Sequence, residues 1–238
     1  MFRDVTSPLF GAKGDGVTDD TDAINKAIAY QGNCGANCLS SSVKGTLIYF
    51  PPGTYLISSP INAMYYSQLV GDAVGNTVIK TAPSFIGLGA IQTDVYLPGA
   101  NGSEWYIEQS NFYRQVRNLV IDTAETITDK AAGLHWQVAQ ATSLTGVFIV
   151  ASTAPGNTQM GIFTENGSGG FFSDVTITGG QYGICECAQL FAKAHKRFAH
   201  HESQTAETSS TQFGVLLYVE RVDFLPQEIQ ASNLPRLL

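Results

Sequence analysis

A repeat of 28 residues in the middle of the chain constrains the fold more than any other feature. The segments VRNLVID, LTGVFIV and FSDVTIT each place a turn residue before an apolar, β-branched run. The turn residues Asn118, Gly146 and Asp174 are 28 residues apart, and the segments GLHWQV and GIFTEN, which start at Gly133 and Gly161, keep the same spacing. Copies in phase indicate structural units that stack on one another.

The repeat predicts an all-β fold, a right-handed parallel β-helix or solenoid. Each unit contains short strands with no helix between them, so its apolar side is buried only when successive coils stack. Asn118, Gly146 and Asp174 are then expected to stack at one corner. WYIEQS, which starts at Trp105, predicts one more copy, and GTLIYFPPGTYLISSPI, YSQLVGD and NTVIKTA fit earlier coils. We expect the solenoid to span about residues 40–184.

The N-terminal stretch FGAKGDGVTDDTDAINKAI predicts a cap, over about residues 10–30, that covers the open end of the solenoid. Thr18–Asp22 supplies several N-cap residues, and Ile24 and Ile28 recur with helical spacing. We expect a short capping helix over Asp22–Tyr30, which hides strand edges that otherwise promote aggregation. The stretch lacks the lysine placement of a phosphate-binding loop and the spacing of a calcium-binding loop, so its Gly and Asp residues indicate turns.

Composition changes near Cys185. Residues 1–184 contain 23 of the 24 glycines, whereas residues 185–238 contain only Gly214 and three of the four histidines. We therefore predict a β-helix domain over residues 1–184 and a divergent tail over residues 185–238. The tail is expected to be helical at first and then poorly ordered, with one strand in GVLLYVERVDFLP.

Charge and cysteine content exclude several classes of function. The net charge of −7 argues against nucleic-acid binding, and no apolar run approaches the roughly 20 residues of a membrane span. Cys34 and Cys38 either close a small disulfide loop or remain free thiols. Their spacing is not a usual zinc pattern, so we predict no metal, no cofactor, no nucleic-acid partner and no membrane partner. The start, MFRDVTSPLF, lacks the apolar core of a signal peptide.

Several segments resemble known carbohydrate-active proteins. FGAKGDGVTDDTDAINKAI resembles the N-terminal motif of β-helix proteins of the pectate-lyase superfamily. A second group of segments together resembles fungal exo-β-1,3-glucanases of glycoside hydrolase family 55. These segments are YFPPGTYLISSPI, YSQLVGD, NFYRQVRNLVID, GLHWQVAQATSL and GIFTENGSGGFFSDVTITGGQYG. The resemblance covers roughly residues 4–184 and does not extend into the tail.

The resemblance implies a secreted glucan 1,3-β-glucosidase that degrades β-1,3-glucan from its ends with inversion. It also implies two tandem β-helix domains, with the cleft between them and the catalytic acid in the second. We therefore expect this chain to be a truncated relative that matches the first domain, lacks that acid and has little or no activity. The family is extracellular, but the chain as written carries no signal that supports this location.

Candidate substrate-binding residues lie along the repeat. The register places Gln109, Gln137 and Glu165 in one column, where stacked side chains either form a structural ladder or contact sugar hydroxyls and orient a water. Alternation puts His135 on the face of Gln137 and Trp136 on the other face, as core or as a sugar platform. The candidate substrate-binding residues are Gln109, His135, Gln137, Glu165 and Asn166.

Inverting hydrolysis usually needs two carboxyl groups about 6.5–9.5 Å apart. The carboxylates within the repeats are Glu104, Glu108, Asp122, Glu165 and Asp174. Only Glu165, beside a glycine-rich bend, is retained as a catalytic candidate. No second carboxylate shares its register, which argues against a complete acid/base pair.

Two other functions stay open. A pectate lyase or epimerase-like protein of the same superfamily needs a base and a cation or an Arg/Lys clamp, for which the repeats offer Arg114 and Arg117. A non-catalytic glucan-binding fragment needs neither.

Overall fold

The fold is seen in a computed structural model. It describes residues 1–38, 45–99, 102–107, 110–127, 131–164, 170–186, 218–219 and 222–225. Within these residues, sixteen β-strands and one α-helix form a parallel β-helix. The predicted all-β solenoid with a short N-terminal helix is confirmed. No helix in the described part of the chain is long and apolar enough to cross a membrane.

The strands stack in three faces along the solenoid. The first face contains β1 (Phe2–Asp4), β3 (Thr46–Phe50), β6 (Ser67–Gly71), β9 (Gln115–Asp122), β11 (Ser143–Val150), β13 (Phe171–Thr178) and β15 (Tyr218–Val219). The second face contains β2 (Asp15–Asp19), β4 (Gly53–Ile57), β7 (Thr77–Thr81), the second halves of β9, β11 and β13, and β16 (Val222–Leu225). The third face contains β5 (Ile61–Asn62), β8 (Gly89–Gln92), β10 (Ala132–His135), β12 (Met160–Thr164) and β14 (Tyr182–Glu186).

The corner between the first and second faces is built by the predicted turn residues. Asn118, Gly146 and Asp174 have φ angles of 54°, 62° and 51°, in the left-handed region. Val147 pairs with Leu119 on one side and with Val175 of the next coil on the other, so the three turn residues stack. Gly adopts this backbone readily, and Asn and Asp do so more easily than other residues. The predicted stack is confirmed.

The inward positions of each coil form one continuous apolar core. Ile121, Ile149 and Ile177 are register partners on β9, β11 and β13, and each is at most 2% exposed. Complete burial of such a side chain stabilises the fold by about 1.5–3 kcal/mol. Because one coil has no second layer of its own, this burial depends on the neighbouring coils.

The single helix of the described residues, α1 (Thr21–Ala29), lies within one residue of the predicted bounds and packs on the first coils. Ile24 and Ile28 are 0% exposed and belong to the core. The aspartates before the helix hold the turn: Asp20 accepts hydrogen bonds from the backbone N–H groups of Lys13 (2.7 Å) and Gly14 (2.9 Å). They act in turn chemistry, as the sequence indicates.

Arg3 of β1 binds the carbonyl groups at the C-terminal end of α1. Its guanidinium donates to the carbonyl oxygens of Ala27 (2.7 Å) and Ile28 (2.8 Å) and to Oδ1 of Asn33 (3.3 Å). These carbonyls have no partner within a helix that ends there. Arg3 is 5% exposed, and this burial lowers its pKa. The buried cation therefore joins the helix to the first strand.

The stack begins earlier and continues later than the sequence indicates. β1 pairs with β3, and β2 pairs with β4, so a first coil lies within residues 2–19. These two strands are short and mostly polar, which hides them from a search for apolar alternation. In the segment predicted as a tail, β15 and β16 both pair with β13. The domain boundary near Cys185 stays a prediction, and the helical start expected for the tail lies outside the described residues.

One copy of the predicted repeat is wrong. The strand that precedes β10 on the third face is β8, with Leu134 paired to Ile91 and His135 paired to Gln92. Residues 93–114 form a long connection from β8 to β9, and the segment at Trp105 lies within it. An insertion in this coil breaks the 28-residue spacing there.

Candidate functional site

The outer side of β10 and of the residues that follow it carries the two predicted site residues that the structure describes, His135 and Gln137. Alternation turns Leu134 and Trp136 into the core, where Trp136 is 2% exposed. Trp136 is therefore a core residue and not a sugar platform. His135 and Gln137 point the other way, yet both are 0% exposed. Another part of the chain covers them.

The cover is a hairpin whose two arms lie within residues 93–99 and 102–106. Tyr96 forms an antiparallel bridge with Glu104, and the Trp105 N–H donates to the Val95 carbonyl at 3.0 Å. The Tyr96 ring stacks on His135 with ring centroids 6.2 Å apart, and Phe163 stacks on His135 at 5.3 Å. The imidazole thus lies between two aromatic rings, of which Tyr96 is 37% exposed.

Gln137 is held by polar contacts from this hairpin. Its Nε2 donates to Oε2 of Glu104 at 2.8 Å, and its backbone N–H donates to Oγ1 of Thr93 at 2.9 Å. The Nδ2 of Asn111 donates to the Thr93 carbonyl at 3.2 Å. The Gln137 Oε1 is buried and has no hydrogen-bond partner among the described residues. Glu104 and Gln137 therefore form the polar link between hairpin and β-helix.

Asp94 is a second carboxyl group in this cluster and is 0% exposed. Its Oδ1 accepts from the backbone N–H groups of Val95 (3.1 Å) and Tyr106 (3.2 Å), whereas Oδ2 has no partner in the described part of the chain. Burial, and next the charge of Glu104, raise the pKa of Asp94 to about 7. Asp94 therefore keeps a proton at pH values where an exposed Asp is ionised. Such perturbed groups cluster at functional sites.

Arg114 is the buried cation nearest to this cluster. Its guanidinium lies 4.9 Å from the ring centroids of both Tyr65 and Tyr106. Its Nε donates to the Ala63 carbonyl (2.9 Å) and its Nη1 to the Phe112 carbonyl (2.6 Å). Burial lowers the pKa of Arg114 to about 10, while its charge lowers the pKa of Asp94. The guanidinium of Arg114 is therefore packed against two rings and hydrogen-bonded through Nε and Nη1, whereas its buried Nη2 has no hydrogen-bond partner among the described residues.

An aromatic cluster continues from Arg114 to the N-terminal region. We define it by Tyr65, Tyr66, Trp105, Tyr106, Phe112 and Tyr113. Cys34 and Cys38, joined in a disulfide with their Cα atoms 5.3 Å apart, pack against it. The Tyr106 hydroxyl donates to the Cys34 carbonyl. The disulfide loop thus supports the residues that follow Glu104 in the hairpin.

The remaining predicted site residues are not described. Gln109, Glu165 and Asn166 lie outside the described residues, so their column with Gln137 stays a prediction. The sequence named Glu104 among the carboxylates but did not connect it with Gln137, and it missed Asp94 and Thr93. The spacing contains no signal for Asp94, because the 28-residue register aligns β10 with the segment at Trp105, whereas β10 pairs with β8.

Among the described residues, no group of three or more His, Cys, Asp or Glu side chains is placed to hold a metal ion.

Family comparisons show which proteins this chain is similar to. Residues 2–218 match the family described as rhamnogalacturonase A/epimerase, pectate lyase-like. The chain belongs to this family. The match covers all strands of the three faces up to β14 and reaches the first residue of β15.

Three curated relatives show which proteins the chain resembles in sequence. The chain is 51% identical over 200 residues to a probable glucan endo-1,3-beta-glucosidase of Arthroderma benhamiae, covering 83% of this chain and 22% of the relative. It is 50% identical over 199 residues to the non-secreted LysM effector LysM19 of Penicillium expansum, covering 83% of this chain and 16% of the relative. It is 43% identical over 186 residues to a glucan 1,3-beta-glucosidase of Cochliobolus carbonum, covering 77% and 23%.

These matches confirm the resemblance to fungal β-1,3-glucanases. The chain is a β-helix protein related to glucan 1,3-β-glucosidase. It spans about a fifth of the length of the curated relatives it matches, at 22%, 16% and 23%.

Proposed function

We propose that the chain binds β-1,3-glucan and carries part of a glycosidase site on its third face. The observation that carries this is a pair of carboxyl groups: Glu104, which accepts from Gln137, and the buried Asp94, whose pKa is raised by burial and by the charge of Glu104. Environments that push the pKa of one carboxyl upward beside a second one are typical of acid/base pairs in glycoside hydrolysis. The relatives named for glucan action support β-1,3-glucan as the polysaccharide.

We expect little or no hydrolysis by the chain itself. Asp94, His135 and Gln137 are each 0% exposed beneath the hairpin, so a sugar has no direct access to them in this conformation. The resemblance also implies a catalytic acid in a second domain. Loss of a positioned general acid alone costs a factor of about 10²–10⁴ in rate. Binding with negligible turnover is therefore the expected behaviour.

A pectate lyase or epimerase-like activity is the second candidate, because the family description names an epimerase. The site does not favour it. Arg114, a candidate clamp for a uronate, is 0% exposed and is occupied by the Ala63 and Phe112 carbonyls. Arg117 is exposed on the first face, away from the carboxyl pair. A non-catalytic glucan-binding role is the third candidate.

The test combines laminarin pull-down with glucose release by the purified chain. Gln137→Ala and Glu104→Gln should weaken retention on laminarin, because the hydrogen bond between these residues holds the hairpin that forms the outer surface of this face. Glu125→Gln is the control, because Glu125 is an exposed carboxylate that pairs with Lys80 at 2.9 Å on the second face. Glu165→Gln tests the carboxylate that the sequence favours.

The outcomes separate the candidates. No glucose release, with binding that depends on Gln137 and Glu104, supports the proposal. Robust turnover that Glu104→Gln abolishes would show a self-sufficient enzyme. Unsaturated-uronate absorbance from pectate would support the lyase candidate. Failure to bind laminarin would refute the proposal.

We also propose an extracellular location. The family resemblance supports it, and so does the Cys34–Cys38 disulfide, because disulfides persist mainly in oxidising compartments. One relative is named as non-secreted. Fractionation of the native host into culture medium and cells decides the question: recovery only from cells, with reduced Cys34 and Cys38, would contradict it.

A further inference from the structure

A groove crosses the outer side of the first face, next to the corner that leads in from the third face. Its lining includes Tyr66, Gln68, Tyr113, Gln115, Ser143 and Phe171. Gln68, Gln115, Ser143 and Phe171 are register partners on β6, β9, β11 and β13. The groove therefore crosses four coils along the solenoid axis, a length of about 14 Å at the usual strand separation.

Aromatic rings form part of this lining. The rings of Tyr66 and Tyr113 lie 4.7 Å apart between centroids and are inclined by 34°. Both are half-buried against the aromatic cluster, and Phe171, on the third coil from Gln68, is 43% exposed. Rigid rings beside a few placed polar groups are the usual composition of a small-molecule site. Pyranose rings suit such a surface, because their C–H faces are apolar and their edges carry hydroxyl groups.

The backbone conformation of the two tyrosines is unfavourable in free energy. Tyr66 and Tyr113 have φ angles of 62° and 61°, in the left-handed region that bulky residues avoid at about 1–2 kcal/mol each. At the other corner, where the backbone conformation is the same, the chain places Asn118, Gly146 and Asp174. Less costly residue types therefore exist for this geometry. Ala141, which also lines the groove, has the same backbone with a φ of 60°, so the left-handed conformation belongs to this corner, and the rings are what distinguish Tyr66 and Tyr113.

The charge of the lining residues indicates which kind of sugar fits the groove. None of the described residues that line the groove has a charged side chain. Arg117, one outward position beyond Gln115 on β9, is exposed and does not line it. An acidic sugar bound here would lose water without gaining a cationic partner, which is unfavourable. Amide and hydroxyl groups suit a neutral saccharide, whose hydroxyls both donate and accept hydrogen bonds.

We propose that this groove binds a neutral glucan segment that runs along the solenoid axis. The proposal rests on the proposed function for its ligand class, but it assigns a second binding surface with its own residues. It also specifies a neutral polysaccharide rather than a uronate or a sulfated chain. The rings of Tyr66 and Tyr113 pack on the sugar faces, and Gln68 and Gln115 contact the hydroxyls.

The test is calorimetric titration of the full chain with laminarihexaose, cellohexaose and hexagalacturonate. Tyr113→Asn removes one ring but keeps a residue that accepts the left-handed backbone. Phe171→Ser removes an exposed ring with little effect on packing. Each change should weaken laminarihexaose binding by about threefold to tenfold. Tyr182→Ser, on the third face and also exposed, should leave it unchanged.

The outcomes distinguish this proposal from the proposed function. If Gln137→Ala weakens laminarihexaose binding while Tyr113→Asn and Phe171→Ser do not, the groove proposal is wrong and the third-face site stands. If cellohexaose binds through the groove and laminarihexaose does not, the groove stands and the β-1,3 assignment fails. Preference for hexagalacturonate would overturn the neutral ligand. If no hexasaccharide binds and the groove variants alter only self-association, the groove is a protein-packing surface.

Discussion

The stacked turn residues Asn118, Gly146 and Asp174 allow a test of how the left-handed backbone affects the stability of this fold. We predict that Gly146→Ala destabilises the protein by about 2–3 kcal/mol. The left-handed backbone at φ 62° contributes about 1–2 kcal/mol of this cost for a residue with a Cβ. The added Cβ would also lie 2.9 Å from Oδ1 of Asn118, and moving that side chain off its rotamer adds about 0.5–1.5 kcal/mol.

A matched substitution separates these two contributions. Gly156 has a similar φ of 78°, but a Cβ there would meet nothing within 4 Å. Gly156→Ala should therefore cost only the backbone contribution, and the effect of alanine on the unfolded chain is the same for both variants. Gly146→Asn should cost less than Gly146→Ala, because Asn already occupies the equivalent position 118 of the preceding coil.

The measurement is equilibrium urea unfolding followed by far-ultraviolet circular dichroism. Thermal unfolding should agree, since 1 kcal/mol shifts the Tm of a protein of this size by about 2–4 °C. If Gly146→Ala costs no more than Gly156→Ala, the contact with Asn118 contributes nothing. A neutral Gly146→Ala, or an Asn variant as unstable as the Ala variant, would refute the account of the corner.

Three further predictions concern the cap and the buried carboxyl. Ile28→Asp should lower the unfolding free energy by a few kcal/mol, because it puts a charge into the core, whereas Ile86→Asp at a 78% exposed site should change it by less than about 0.5 kcal/mol. Arg3→Met should cost about 2–4 kcal/mol in urea unfolding, because the helix carbonyls lose a charged donor; equal stability would contradict its role in ending α1. Between pH 3.8 and about 7 the unfolded chain releases the Asp94 proton while the folded protein keeps it, so stability should fall as pH rises. Asp94→Asn should flatten that part of the pH profile, and an unchanged slope would show that another group is responsible.

The sequence predicts much of the fold because the repeat carries physical constraints that are visible in single residues. The stacking of Asn118, Gly146 and Asp174 follows from a fixed spacing and from residue types that tolerate a left-handed backbone. The capping helix follows from Ile24 and Ile28 at helical spacing, whereas the side chain of its N-cap residue, Asp20, makes no capping hydrogen bond and binds the preceding turn. In both cases the interaction that decides the structure is local, or is repeated in every coil.

The candidate site could be predicted only in part, because it depends on an irregular insertion. Trp105 begins a segment whose composition imitates the repeat, but it lies in the connection between β8 and β9. The raised pKa of Asp94 arises from burial beneath a hairpin and from the charge of Glu104. Neither cause can be read from spacing, because each depends on how the insertion folds back over β10.

Because the later coils have the same length, an in-frame deletion in the gene can remove one whole coil. Removal of residues 119–146 would join Asn118 to Val147, which pairs with Val175 as Leu119 pairs with Val147. Every later column would stay aligned, in a protein shorter by one coil. The preceding coil is longer, since Gln115 lies 47 residues after its partner Gln68. The removed segment contains His135 and Gln137, so one in-frame deletion or duplication could take away or copy these site residues while the scaffold remains.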